Sequence, residues 1–115
     1  MAFSHFHSCA VNNIGLLYEM KNDYKEALKY FKLSADLSNS WALNKVGEYY
    51  RLKGKLNKAY YYYNKSIECP KIERNYYGYY NLAKYFYMEG NKELNIKRDI
   101  NKAQEYLEIF YNNTK

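Results

Sequence analysis

The residues best equipped for chemistry stand near the start of the chain, where His5, His7 and Cys9 alternate with other side chains. Two imidazoles and a thiol are a zinc donor set. A spacing of two, however, turns successive side chains to different faces of a helix, so no metal is expected. Cys9 and Cys69 are far apart and unpatterned, and are read as separate free thiols. Carboxylates are scattered among lysines at helical spacing, as on a solvated surface. The sequence contains no phosphate loop, dinucleotide fingerprint or nucleophile elbow. It therefore assigns no catalytic residue and no cofactor, and an enzyme is not expected.

Binding is what remains, and binding depends on the elements that hold the side chains. The chain has 115 residues, the length of a single domain over 1–115. Pro70 is its one proline and it has five glycines, a composition suited to helices joined by few loops. Seventeen tyrosines stand out. A tyrosine packs its ring while its hydroxyl stays in water, which suits a thin structure with little deep interior. The net charge of +6 permits acidic partners, but no segment is densely basic. No apolar run is long enough to span a membrane, and the first residues lack the form of a secretory signal. The default expectation is a soluble, cytoplasmic protein.

A repeat organises the chain. Ala10, Gly15, Tyr18, Ala27, Phe31 and Ser34 recur 32 residues later as Ala42, Gly47, Tyr50, Ala59, Tyr63 and Ser66. A third copy follows at an offset of 36, with Ala83 for Gly47, Phe86 for Tyr50 and Gly90 for Gly54. Ala103 then stands 44 residues after Ala59, so residues 91–98 are an eight-residue insertion. The copies span about 8–39, 40–71 and 72–112.

Each copy reads as two helices. The expected helices are Ser8–Met20, Tyr24–Ser38, Ser40–Leu52, Leu56–Glu68, Ile72–Met88 and Asp99–Tyr111. Asp23, Ser40, Asn57 and Asp99 are the expected N-caps, and Gly54 and Gly90 the stops. Ala27, Tyr30, Phe31 and Ser34 follow i, i+3, i+4, i+7, as do Ala59, Tyr62, Tyr63 and Ser66. One pair cannot bury its apolar face alone, whereas stacked pairs bury a continuous strip.

These residues resemble the tetratricopeptide and Sel1-like repeat families. The first copy offers Val11, Ile14-Gly15, Tyr18, Ala27, Phe31 and Ser34; the second Leu43, Val46-Gly47, Tyr50, Ala59, Tyr63 and Ser66. The third offers Tyr79, Leu82-Ala83, Phe86, Ala103, Leu107 and Phe110, the last bulky where a small residue is usual. The Sel1-like variant has a longer turn ending in Asp-x-x-Lys-Ala, matched by Asp99-Ile100-Asn101-Lys102-Ala103. The resemblance covers about Ala10 to Phe110. It implies an all-α, right-handed α-solenoid of three antiparallel helix pairs, a protein–protein interaction scaffold or adaptor that holds a peptide or protein segment in a concave groove.

In such families the first helices of the pairs line that groove. Position by position, the resemblance implies Asn12, Asn13, Leu16 and Glu19 from the first copy. The second would contribute Trp41, Asn44, Lys45, Glu48 and Arg51, and the third Tyr77, Tyr80, Asn81, Lys84 and Tyr87. Asparagines can bond an extended backbone as donor and acceptor, and aromatics are rigid anchors. Lys45, Arg51 and Lys84 would favour acidic groups or a terminal carboxylate. Asn12 and Leu16 occupy the places where a chaperone-binding clamp wants lysine and asparagine, so binding of chaperone tails is not expected.

The alternative from another class is a basic helical-repeat module for nucleic acid, with lysines on phosphates and tyrosines stacked on bases. Against it, basic and acidic residues are interleaved, as at Lys25-Glu26. Both ends of the array are apolar. Phe3 and Phe6 begin it, and Ile100, Tyr106, Leu107, Ile109, Phe110 and Tyr111 spread over more than one face of the last helix. Self-association through an array end, or membership of a longer repeat protein, is the expectation that follows.

Overall fold

The computed structural model describes residues 5–70 and 75–115 and, of His5, the backbone only. Six α-helices are described: α1 (His5–Met20), α2 (Tyr24–Asp36), α3 (Ser40–Leu52), α4 (Leu56–Ile67), α5 (Tyr77–Leu82) and α6 (Ile100–Thr114). A π-helical turn over Ala83–Tyr87 continues α5, with the Met88 amide donating to the Ala83 carbonyl. Each helix packs on its neighbour in sequence, so the chain is an α-solenoid of helical hairpins.

One turn chemistry recurs at the first three connections. Asn22, Ser38 and Gly54 take left-handed φ values of 64°, 62° and 79°. After each, the next amide donates back to the carbonyl five residues earlier: Asp23 to Tyr18, Asn39 to Ser34 and Lys55 to Tyr50. These are Schellman closures. In each case the residue after the left-handed position is also the N-cap of the following helix. This corrects two expected caps. Asn39, rather than Ser40, caps α3, its Oδ1 accepting from the Ala42 amide at 2.9 Å. Lys55 begins α4 with no side-chain cap, which leaves Asn57 inside the first turn. Asp23 and Asp99 cap α2 and α6 through the Glu26 and Lys102 amides, as expected.

The third copy departs from the expected boundaries. Asn75 and Tyr76 stand outside any helix, and the Asn75 Oδ1 accepts from the Tyr77 amide at 2.9 Å. The expected start at Ile72 lies outside the described residues. The insertion forms a small turn closed by paired backbone bonds between Asn91 and Ile96.

Packing explains the small residues of the repeat. A Cβ added at Gly15 would stand 2.8 Å from Phe31 Cδ1, and one at Gly47 would stand 2.7 Å from Tyr63 Cε1. Both aromatic rings are fully buried. Where the third copy has Leu107 in the aromatic place, it has Ala83 in the glycine place. The rings then carry the core from copy to copy. Phe31 meets Trp41 and Tyr49, and Tyr60 and Tyr63 meet Phe86. Tyr18–Tyr30 and Tyr50–Tyr62 stack within their hairpins at 5.4 and 5.7 Å.

The two ends differ from the internal junctions. On α3, Ala42 and Val46 are buried, and Tyr49 packs on Phe31 of the preceding copy. The same positions of α1 are Ala10, Ile14 and Leu17, all exposed. At the other end Met88, Ile100, Leu107 and Tyr111 border an apolar depression of about 420 Å³. Leu107 and Tyr111 correspond to Tyr63 and Ile67, which α5 covers in the second copy: Tyr63 meets Phe86, and a Cβ on Gly78 would touch Ile67.

Candidate partner-binding groove

The first helices meet along one side of the array, and the two junctions there are built differently. Between the first two copies the surface is filled. Lys45 Nζ pairs with Glu19 Oε1 at 3.0 Å, and the Tyr49 hydroxyl donates to Glu19 Oε2 at 2.7 Å. The Lys45 ammonium lies 5.5 Å above the Trp41 ring and 5.8 Å from that of Phe31. Burial, with the bond to Glu19, pushes the Tyr49 phenol well above its ordinary range.

Between the second and third copies the surface opens into a cavity of about 320 Å³. From α3 come Trp41, Asn44, Lys45 and Glu48; from the start of the third copy come Asn75, Tyr77, Tyr80 and Asn81. Local sequence sets each of these. Trp41, Lys45 and Glu48 follow i, i+4, i+7, one face of α3. Tyr77, Tyr80 and Asn81 follow i, i+3, i+4 on α5. The Asn75 amide donates to Ser40 Oγ, tying the entry of α5 to the first turn of α3. Asn44, buried at the floor, is held by Ser66 Oγ at 3.2 Å and reaches Asn75 Oδ1 at 3.4 Å. Tyr80 and Tyr77 lean on Phe110 at 5.4 and 5.1 Å. Phe110, the bulky residue in the place of Ser34 and Ser66, thus backs the aromatic wall.

Seven of the residues implied by position surround this cavity: Trp41, Asn44, Lys45, Glu48, Tyr77, Tyr80 and Asn81. The others stand elsewhere. Asn12 is buried at 6% exposure, with its Oδ1 unbonded among the described residues. Leu16 packs against the core, while Asn13 is exposed. Glu19 is engaged by Lys45 and Tyr49. The Arg51 Nε donates to the Tyr63 hydroxyl at 3.4 Å, and its guanidinium lies 4.0 Å from the Tyr85 ring. Lys84 is exposed beside Tyr80 and Tyr85, whose hydroxyls hold its ammonium above its ordinary pKa. Tyr87 faces inward, its hydroxyl 2.9 Å from that of Tyr60. Tyr87 is the last residue of the π-helical turn.

Position in the repeat did not reveal Asn75. Its signal was available, because Asn39 and Asn75 are 36 residues apart, the offset of the third copy. Several tyrosines carry a lysine beside the ring, including Tyr18, Tyr50, Tyr61 and Tyr87.

Comparison with known proteins adds one finding. The family model described as Sel1 repeat matches residues 10–39, 42–70 and 77–113. No curated protein and no solved structure matches the chain.

Proposed function

Since the chain belongs to the Sel1 repeat family, whose repeats generally mediate protein–protein interaction, we propose that it is a scaffold holding an extended peptide segment of a partner across the α3–α5 junction. The cavity there carries the reading. Its volume of about 320 Å³ lies at the small end for ligand pockets, which suits one anchoring side chain. The side chains of Glu48 and Asn81 form no hydrogen bond with a described residue, so the cavity offers unspent polar groups beside its aromatic walls. Binding through one aromatic-lined anchor with amides alongside is a common economy of peptide recognition. A displayed random-peptide library tests it. Enrichment on the wild type is expected to collapse with Trp41→Ala and with Tyr77→Ala, and to survive Tyr61→Ala on the opposite helix layer. Enrichment that ignores the first two changes would refute the groove.

The exposed apolar side chains on α1 and the apolar depression at α6 support self-association as well. We propose that α1 of one copy stacks on α6 of another, as α3 stacks on α2 and α5 on α4. The exposed Ala10, Ile14 and Leu17 would then cover Leu107 and Tyr111. Such head-to-tail contacts do not close on themselves, so chains would grow with concentration. Sedimentation should show species above the 13.9 kDa monomer that vanish in Leu17→Glu and in Tyr111→Glu. Mixing those two variants should restore a dimer through the one intact pair of faces. A wild type that stays monomeric at every concentration, or a mixture that stays monomeric, would refute this contact.

A further inference from the structure

Within the groove reading, and resting on it, the charge of the cavity identifies what enters. We infer that the α3–α5 cavity takes the side chain of a basic residue, arginine or lysine, from the partner segment. The protein carries a net +6, so its bulk charge alone would point to acidic partners. The local accounting of charge reverses that. Of the cations near the groove, Lys45 is matched by Glu19 at 3.0 Å. Arg51 is turned to the Tyr63 hydroxyl and the Tyr85 ring. Lys84 does not line the cavity. Glu48 does line it, is half-buried, and forms no ion pair with a described residue. Among the described residues that line the cavity, the charge left unmatched is therefore negative, with Lys84 outside the lining, 5.6 Å from the Tyr80 ring.

The remaining wall suits a cation too. Trp41 already carries Lys45 at 5.5 Å and Tyr80 carries Lys84 at 5.6 Å, which leaves Tyr77 as the lining ring with no described cation over it, and a guanidinium or ammonium is attracted to such a ring. Arginine in particular combines stacking on an aromatic ring with a planar fork of donors for a carboxylate. The Glu48 carboxylate and the Asn81 side-chain oxygen are acceptors for those donors. An acidic side chain would meet Glu48 as a like charge, which disfavours it directly. Lys45 does not offset this, because both Glu19 oxygens are already committed to holding it and Tyr49 in place.

Trp41 is the only tryptophan of the chain, so its fluorescence reports occupancy without a label. Three peptides differing at one central position, Arg, Leu or Glu, with Gly and Ser on both sides, are titrated against the intact protein, together with agmatine alone. The Arg peptide should change Trp41 emission saturably and bind at least tenfold more tightly than the other two. Glu48→Gln should weaken it about tenfold, and Glu48→Lys should shift preference to the Glu peptide, with thermal unfolding confirming that both variants fold. Rising salt should weaken the Arg peptide more than the Leu peptide. Equal binding of all three peptides, or an Arg peptide indifferent to Glu48→Gln, would overturn the charge inference and leave the groove standing. Agmatine binding as tightly as the Arg peptide would overturn the claim that the cation belongs to a partner chain. Silence of Trp41 towards every probe would overturn the inference and the groove together.

Discussion

Gly47→Ala probes the close approach that makes the hairpins possible. The added methyl would stand 2.7 Å from Tyr63 Cε1 and 2.8 Å from Cδ1, where carbon atoms prefer about 3.5–4.0 Å. The ring has little freedom to retreat. It is fully buried, packs edge-on to Phe86 at 6.2 Å, and holds Arg51 through its hydroxyl. Overpacking of this kind destabilises by about 1–3 kcal/mol. Alanine in a helix interior returns about 0.8–1 kcal/mol over glycine, so the net expected loss is about 0–2 kcal/mol. The third copy supplies the internal control, since it carries Ala83 and Leu107 at the matching places. In a Tyr63→Leu background the clash is gone and only the propensity remains. There Gly47→Ala should stabilise by about 0.5–1 kcal/mol. Urea unfolding with an unchanged slope measures all four members of the cycle. The same sign for Gly47→Ala in both backgrounds would refute the packing argument.

Three further outcomes follow from the same geometry. Asn39→Ala removes the cap on Ala42 and the bond to Ser8 Oγ, and should lower stability by about 1–2 kcal/mol, whereas Asn57→Ala, inside α4, should change it little; equal losses would overturn the corrected cap. Asn12→Leu discards a buried oxygen that has no partner among the described residues and should be neutral or stabilising, while Asn44→Leu breaks the bonds to Ser66 and Asn75 and should cost about 1–3 kcal/mol; denaturant midpoints compare the two. Burial first, and Glu19 and Tyr60 next, raise the Tyr49 and Tyr87 phenols. The unfolded chain therefore loses these protons first as pH climbs past their ordinary value of 10.0, and stability, fully present below that, should fall above it. Tyr50, lowered by Lys32, acts in the opposite sense. Tyr49→Phe should blunt the alkaline loss, measured as denaturant midpoint against pH; an unchanged profile would count against the assignment.

The helices were legible because their signals are local and repeated. Three copies in phase announced Gly15, Gly47, Ala27, Ala59 and Ala103 as packing positions before any contact was known. The caps were misplaced by one residue at Asn39 because the deciding event is a backbone one. Once Ser38 takes a positive φ, the next residue must serve as both the end of one turn and the start of the next helix, and side-chain type only ratifies that. Asn57 failed for the same reason, since Gly54 had already fixed Lys55. In the groove, positional mapping brought seven side chains to one cavity but misjudged the free charges. Lys45 and Arg51 meet partners in other helices, Glu19 for the first and Tyr63 and Tyr85 for the second, whereas Lys84 stays exposed beside Tyr80 and Tyr85 of its own helix. A sequence lists cations; the fold decides which of them are already spent.

The same offset arithmetic explains why the cavity lies where it does. Copies one and two are related by 32 residues, and their first helices are close enough for Lys45 and Tyr49 to reach back to Glu19. Copies two and three are related by 36, so at their junction Arg51, Asn81 and Tyr85 take the places of Glu19, Lys45 and Tyr49. They cannot repeat the ion-paired seal: the Arg51 guanidinium lies 4.0 Å from the Tyr85 ring and its Nε donates to the Tyr63 hydroxyl, while Asn81 carries no charge. Glu48 is left lining the cavity with no ion pair to a described residue. The departure of the third copy from the strict repeat accompanies the change from a closed junction to an open cavity.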